Sequence, residues 1–501
     1  MAIRTPQQYY EGLRDGRVVY MGGKKVEDVT KDPIIGIACD WCAMDYVLMQ
    51  DPRYQPLMTR KNEKGELESV LFYPTKTLED LLRRREIIQV GSRICYGKCP
   101  SAKFTGIDAL NALTVVSRRM DKRFGTRYTE RVENFRRHLL ERDYAVAAGM
   151  TDVKGNRTLR PAQQKPHQDY YVRIVDETDK GIVVRGAKAH ISLAPVVDEI
   201  IVIPTRNMHE EDKDYAVAFA VPPVAKGITL IPARPDISEE DVGNFFDHPI
   251  TASIYLADSM VIFDDVFVPN ERVFMKREWS FAADYAYVFA DFHRLSSDAI
   301  QAVENEMLLG MGALMAEYNG LERAPAIREM LTWLAMYAQI TEALGRAACD
   351  HCITEPESGL VIPNPIYSNM SKLYGSDHYH QATKYVQDIA GGIVATIPSS
   401  KEWKNPETRK MMEKYLGGKD GIPTENRLKL INLIRDYASS YESVLRIHAE
   451  GSLAAQRLSV YNLADFERCK AMAKRAARIK DGTEHPLFNQ LPDFPVRWEK
   501  K

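Results

Sequence analysis

Apolar positions along this chain change period twice. Over the first third they recur at helical spacing between short turns. The clearest start there is Thr77-Leu78-Glu79-Asp80, a capping-box-like pattern that opens the stretch 81–88, apolar at Leu81, Leu82, Ile87 and Ile88. A second helix is predicted over 107–123. After Ala148 the apolar residues come instead in short β-branched runs at 171–175, 182–184, 200–203, 215–221, 228–231 and 260–263. Asp179-Lys180-Gly181 reads as a hairpin turn, and Pro269-Asn270 closes the run Val266-Phe267-Val268. Helical spacing returns with Phe281, Tyr285, Phe289 and Phe292. It continues in long stretches to Leu314 and then over 324–352, 366–390, 424–450 and 452–479. The expectation is an α+β chain: a helical N-terminal domain over 1–148, a central β-barrel or sandwich over 149–276, and a C-terminal helical bundle over 277–501 with an irregular tail from about 481.

Length agrees with that division, since 501 residues exceed what one hydrophobic core serves. Charge narrows the partners. Lys plus Arg total 67 against 69 for Asp plus Glu, so a net charge of −2 offers no broad field for nucleic acid or an anionic membrane. A small-molecule substrate is expected. No apolar run approaches a membrane span, and residues 1–15 are polar where a signal peptide has its apolar region, so a cytoplasmic protein is expected. Cysteines number 7, and this odd count favours thiols or metal ligands over a disulfide framework.

Four places could carry chemistry. Met150-Thr151-Asp152-Val153-Lys154-Gly155-Asn156-Arg157 lies where the helical and β regions meet. It reads either as a hydrogen-bonding wall for a flat, polar-edged ring or as a linker of Asx-type turns. The strand at 181–190 ends in small residues that present Lys188 and His190, either to a ligand or at a tight solvated corner. His293 follows Phe289 by one helical turn, as a catalyst, a ligand or a hydrogen-bonded core residue. Cys95 and Cys99 stand i, i+4, a spacing that on a helix aims both thiols at one metal ion or iron-sulfur cluster. Cys39 with Cys42, and Cys349 with Cys352, form C-x-x-C pairs without a second pair at zinc-ribbon spacing.

Together these segments resemble the family of 4-hydroxyphenylacetate 3-monooxygenase and 4-hydroxybutyryl-CoA dehydratase, whose fold is similar to that of acyl-CoA dehydrogenases. The resemblance rests on Arg4-Thr5-Pro6 with Asp15-Gly16-Arg17, on Met150-Thr151-Asp152 with Asn156-Arg157, on 181–189 and on 261–274. It implies FAD, a homotetramer and a site between the three domains. The flavin contacts it implies are Met150, Thr151, Asn156, Arg157, Gln164, Lys188, Ser192, Gly451 and Ser452.

Within the family, the monooxygenases bind and deprotonate a phenol with an arginine, a tyrosine and a histidine. Those positions fall here on Thr105, Ala109 and Ala148. Wording at 149–152, 214–217, 292–294, 318–320 and 451–457 resembles the dehydratase more closely. The dehydratase carries a [4Fe-4S] cluster. Cys95, Cys99 and His293 match three of its ligands, while Ile300 stands where the fourth cysteine belongs. No cluster, a cluster with one open iron, and a fourth ligand from Cys39, Cys42 or elsewhere all stay open. The dehydratase's site tyrosine, lysine and C-terminal glutamate fall on Ser297, Gln301 and Leu445. The resemblance makes His293 the base or iron ligand and Asp258, matching a site glutamate, a proton-transfer group. The leading expectation is a flavin-dependent lyase or isomerase acting on a small organic acid or its CoA thioester. The alternatives are a two-component monooxygenase fed by a separate flavin reductase and a catalytically silent flavin-binding paralogue.

Overall fold

A computed structural model describes residues 3–98, 102–479 and 485–489. The capping box opens the helix Leu78–Ile94, with Thr77 Oγ1 accepting from the Asp80 N–H at 3.2 Å and Asp80 Oδ2 accepting from the Thr77 N–H at 3.0 Å. The next helix, Ala102–Phe124, is buried along most of its length. At Gly106 an added Cβ would lie 2.2 Å from the Val146 carbonyl oxygen, so glycine lets this helix press directly against the strand Val146–Gly149.

Two sheets form the middle of the molecule. The six-stranded sheet runs Lys24–Val26, Val19–Met21, Ile228–Pro232, Ser259–Pro269, Gly181–Ile191, Arg173–Thr178. The four-stranded sheet runs Val273–Lys276, Val217–Val221, Glu199–Val202, Val146–Gly149. Phe219 and Phe263 meet edge to face between them, ring centroids 5.7 Å apart, at the heart of the sandwich. The Asp179-Lys180 hairpin joins Arg173–Thr178 to Gly181–Ile191 through the Thr178–Gly181 pair.

Three details depart from the sequence pattern. The runs at 260–263 and 266–268 are one strand, Ser259–Pro269. An irregularity between Phe263 and Val266, with Asp265 in a left-handed conformation, puts the strand out of simple alternation. The helix expected over 424–450 stops at Ser439: Ser440 is extended, Asp236 accepts the Tyr441 N–H at 2.7 Å, and a short helix Tyr441–Leu445 is followed by turns. The helix expected over 452–479 is two, Leu453–Leu463 and Phe466–Ala476, because Asp465 caps the second by accepting from the Arg468 N–H.

The C-terminal region is built on Ala282–Tyr318, Pro325–Asp350 and Pro365–Ala390. It is fastened to the sandwich by Asp436, which accepts from the Ile250 N–H, the Thr251 N–H and the Thr251 hydroxyl at 2.7, 2.9 and 2.7 Å. Among the described residues, no helix is long and apolar enough to cross a membrane.

Candidate functional site

Ser192 follows the strand Gly181–Ile191 and Asp258 precedes its antiparallel neighbour. The Ile191–Ser259 pairing therefore brings them together, and Ser192 Oγ donates to Asp258 Oδ1 at 2.5 Å. Asp258 Oδ2 is buried without a hydrogen-bond partner. Burial pushes this carboxyl up to about 7 against the Ser192 hydrogen bond, and the negative charge of Glu450 adds to the rise.

His293 stands on the long helix Ala282–Tyr318. Its Nδ1 lies 2.9 Å from Asp108 Oδ2, and the other oxygen of Asp108 accepts from Arg84 Nη2 at 2.6 Å and from Ser296 Oγ at 3.3 Å. A carboxylate so placed selects the tautomer with hydrogen on Nδ1 and leaves the Nε2 lone pair for other work. Phe104 and Phe289 flank the imidazole, with centroids at 6.0 and 4.7 Å.

The turn after the short helix Tyr441–Leu445 closes the seam. Glu450 and Gly451 both have positive φ, 56° and 107°; glycine tolerates such a conformation without strain, whereas Glu450 is held in it by its partners. Glu450 Oε2 lies 3.1 Å from Lys372 Nζ, which also donates to Ser376 Oγ at 2.9 Å and to the Arg446 carbonyl at 3.2 Å. Burial opposes charge on Glu450, but Lys372, His293 and Arg446 outweigh it and hold the carboxyl at about 2. Arg294 donates to Asn369 Oδ1 and to Ser459 Oγ, and its Nη2 would sit 3.5 Å from a Cβ at Gly451. Gln456 donates to the Gly451 carbonyl at 2.6 Å. Ser452 caps the helix Leu453–Leu463 and is exposed.

The segment 150–157 forms a wall packed on the strand Gly181–Ile191, though not every expected contact faces outward. Thr151 accepts from the Ala189 N–H through its carbonyl at 2.8 Å and keeps its side chain partly exposed, as does Met150. Asn156 and Arg157 are exposed, and Asn156 Oδ1 accepts from the Thr158 N–H and hydroxyl, an Asx turn. Lys188 and Gln164 turn inward. The Lys188 ammonium donates to the carbonyls of Met150 and Ile203 at 2.8 and 2.9 Å and pairs with Asp152 Oδ1 at 2.8 Å, so it is spent on shaping the wall. Gln164 donates to the Asn156 and Leu159 carbonyls and accepts from the Asn156 N–H, bracing the same loop.

The metal ligands expected on Cys95, Cys99 and His293 do not assemble among the described residues. Cys99 lies outside them. Cys95 Sγ takes the Trp41 indole N–H, and His293 Nδ1 faces Asp108. Ile300, at the fourth-ligand position, is packed in hydrocarbon with Ile88, Phe104 and Ala299. Among the described residues no three His, Cys, Asp or Glu side chains are placed to hold a metal ion. Cys39 and Cys42 are buried inside the helix Ile35–Gln50, and Cys349 is buried near the end of Pro325–Asp350.

Sequence reasoning missed Asp108, Lys372 and Glu450. Each is a lone charge in a mostly apolar or small-residue stretch, the pattern that marks a buried ionic group.

A flavin fits this seam. Asp258 Oδ2, Arg294 Nε and Gln456 Oε1 are among the buried polar atoms without hydrogen-bond partners, and their side chains contact the Glu450-Gly451 turn or feel its charge. A ring with polar edges would satisfy such groups.

Comparison with known proteins identifies the family. Sequence profiles for the N-terminal and C-terminal parts of 4-hydroxyphenylacetate 3-hydroxylase match residues 5–275 and 282–478. The 4-hydroxybutyryl-CoA dehydratase/vinylacetyl-CoA-Delta-isomerase of Clostridium aminobutyricum is 30% identical over 95% of this chain and 100% of its own. The 4-hydroxyphenylacetate 3-monooxygenase oxygenase component of Thermus thermophilus is 30% identical over 87% and 89%. Among solved structures, an oxygen-tolerant archaeal 4-hydroxybutyryl-CoA dehydratase from N. maritimus superposes with TM-score 0.89 at 29% identity, covering 97% of each chain. The oxygenase component of 4-hydroxyphenylacetate 3-monooxygenase complexed with FAD gives TM-score 0.85 at 26% identity, covering 95% and 99%. With nearly its whole length matched in sequence and in shape, the chain belongs to the 4-hydroxyphenylacetate 3-hydroxylase family and has its acyl-CoA-dehydrogenase-like fold.

Proposed function

We propose that this chain is an FAD-dependent enzyme of the dehydratase type, acting on a small organic acid or its CoA thioester. The observations that carry the reading are a buried carboxyl, Asp258, with one oxygen unpartnered, and an imidazole, His293, held at Nδ1 by Asp108, both coupled to the charge of Glu450. Loss of water from a hydroxy acid needs a base for a C–H proton and an acid for the departing hydroxyl, with no net oxidation. In this reading His293 Nε2 takes the proton and Asp258 gives one. Phe104 and Phe289 exclude water from the imidazole. Met150, Thr151, Asn156 and Arg157 on one wall, Ser192 behind, and the Gly451-Ser452 turn in front would hold the flavin. When bound, it supplies a reversible acceptor of electrons.

The second reading is a monooxygenase using reduced flavin from a separate reductase. Its support is the Thermus oxygenase component, as similar in identity as the dehydratase. Against it, Ala109 and Ala148 are buried methyl groups and Thr105 is uncharged at the positions the resemblance assigns to phenol recognition.

Anaerobic purification, an absorption spectrum and iron and sulfide assays open the test. We expect a flavin spectrum and loss of water from 4-hydroxybutyryl-CoA or a related hydroxy acid. Oxygen-dependent hydroxylation of a phenol by the reduced protein, without dehydration, would replace this reading with the second. Iron and sulfide in stoichiometric amount would restore a cluster that includes Cys99.

The same reading makes the protein a cytoplasmic homotetramer. Leu458, Tyr461, Phe466 and Met472 are exposed on the two helices Leu453–Leu463 and Phe466–Ala476, an apolar surface that a second copy would cover. Light scattering after gel filtration should give about four chain masses. Leu458→Lys with Tyr461→Glu should lower that mass.

A further inference from the structure

We propose that Lys154, His190 and Arg206 form a phosphate-binding site at the rim of the wall 150–157, one that takes a phosphate of a bound nucleotide. The site rests on the reading of that wall as the flavin side of the enzyme, and its three residues have no role in that reading. Three segments meet at Asp152. Its own loop runs beside the strand Gly181–Ile191, where the Ala189 N–H donates to the Thr151 carbonyl at 2.8 Å and Asp152 bridges to Lys188. The chain leaving the strand Glu199–Val202 arrives from the other side. There the Ile203 N–H donates to the Gly149 carbonyl at 3.2 Å and the Thr205 hydroxyl to Asp152 Oδ2 at 2.7 Å. Each segment then presents a basic residue: Lys154 shortly after Asp152, His190 shortly after Lys188, and Arg206 directly after Thr205. Tyr170 and Tyr171 tie two of them to neighbouring points, since the Lys154 N–H donates to the Tyr170 carbonyl and Arg206 Nη1 to the Tyr171 hydroxyl, both at 3.3 Å.

The carboxylate at this junction is already spent. Asp152 is buried; its Oδ1 lies 2.8 Å from Lys188 Nζ and accepts the Val172 N–H at 3.3 Å, while its Oδ2 takes the Thr205 hydroxyl. Among the described residues, Lys154, His190, Arg206 and the neighbouring Arg157 have no carboxylate within salt-bridge distance. Basic groups gathered without an anion oppose one another's charge. Lys154 and His190 are accordingly both lowered, first by burial and then by the cations around them.

Backbone strain falls on the same two residues. Lys154 has φ 75° and His190 φ 60°, the left-handed region that a side chain with a Cβ resists. Gly155 follows at φ 54°, and a Cβ there would lie 2.4 Å from Gln164 Oε1 and 2.7 Å from the Tyr170 ring, so the loop is wound tightly behind Lys154. Strain held at two uncompensated basic residues facing one junction is the arrangement of a preformed anion site. Donors converging from three segments suit a tetrahedral oxyanion better than a planar carboxylate, which suits a single fork. Two ligands of the proposed enzyme carry phosphate: the flavin in its diphosphate, and a CoA thioester in its nucleotide.

Binding to the full chain, read without turnover, tests the site and separates these sources. The flavin-free protein is titrated with FAD and with riboflavin, and the flavin-loaded protein with CoA and with pantetheine, the second of each pair lacking phosphate. Lys154→Asn and His190→Asn keep a residue that tolerates the left-handed backbone, and Arg206→Gln removes the third charge. Each variant should weaken the phosphate-bearing ligand of one pair about tenfold and leave its phosphate-free counterpart within about twofold. Loss confined to FAD assigns the site to the flavin diphosphate, and loss confined to CoA assigns it to the thioester. ADP, which carries the diphosphate without either reactive end, should compete with that ligand in the parent and lose the effect in the variants. Should one variant fold poorly, the other two carry the test. Affinity for FAD and CoA unmoved in all of them, or a loss shared equally by riboflavin and pantetheine, would overturn the proposal. Failure to dehydrate a hydroxy acid would count against the function alone.

Discussion

His293 and Asp258 are held by different means. His293 is aimed by Asp108, a buried carboxylate itself held by Arg84, so the imidazole's direction is fixed from beneath. Replacing His293 by alanine removes the proposed base and leaves the Arg84–Asp108 pair intact. Turnover should drop by about 10²-fold or more, with the melting temperature moved by only a few degrees. Unchanged turnover would return His293 to a packing role.

Asp258 gives a prediction about stability. Its carboxyl is near 7 in the fold because of burial, and near an ordinary aspartate value of about 4 when unfolded. Between those values the unfolded chain releases a proton that the native protein keeps. Folding therefore weakens as pH rises from about 4 to about 7 and levels off beyond. An amide at this position does not ionise. Asp258→Asn should gain stability over the parent on the order of 2 kcal/mol more at pH 8 than at pH 5, read from urea unfolding.

At the level of elements, the interdomain fastening at Asp436 is the sharpest case. One carboxylate satisfies two backbone N–H groups and a hydroxyl of the loop that leads to Asp258. Asp436→Ala leaves those buried donors bare, and the loss should be about 2–4 kcal/mol in global stability. A loss below about 0.5 kcal/mol would show the fastening to be redundant.

These elements were legible in the sequence to different degrees. The helices Leu78–Ile94 and Pro365–Ala390 announced themselves because capping residues and apolar period agree. The break at Ser440 did not, since the helical pattern continues through it. What ends the helix is Asp236, about two hundred residues away, taking the Tyr441 N–H. Lys188 was legible as a polar group in a strand, but only the fold shows its ammonium buried among two carbonyls and Asp152. Glu450 was illegible for a related reason: its partner Lys372 comes from another helix, and no local pattern marks a pair made by tertiary contact.

Across the whole molecule, the sandwich is assembled from distant parts of the chain. Val19–Met21 pairs in parallel with Ile228–Pro232, and Val146–Gly149 in parallel with Glu199–Val202, so the N-terminal region contributes strands to both sheets. Such assembly buries ionisable groups at the joins, and their directions add. Asp258 and Asp291 are pushed up to about 7 and Asp298 to about 6, in each case first by burial. Each makes folding weaker as pH rises from the unfolded aspartate value toward its own. His248 is raised chiefly by its hydrogen bond to Asp436, and burial opposes that rise. Its contribution is present below the unfolded histidine value and fades as pH passes the folded one, which has the same sign. His190, lowered by burial and by Lys154 and Arg157, works the other way. Glu450, held at about 2, contributes fully throughout this range and weakens only in acid well below pH 5. Among these named groups, three carboxyls and one imidazole against a single imidazole favour the acid side. Thermal unfolding should show a higher midpoint at pH 5.5 than at pH 8, and the difference should shrink in Asp258→Asn. A midpoint that rises from pH 5.5 to 8 would mean these carboxyls are ionised in the folded protein, and that water or a bound cation reaches the seam.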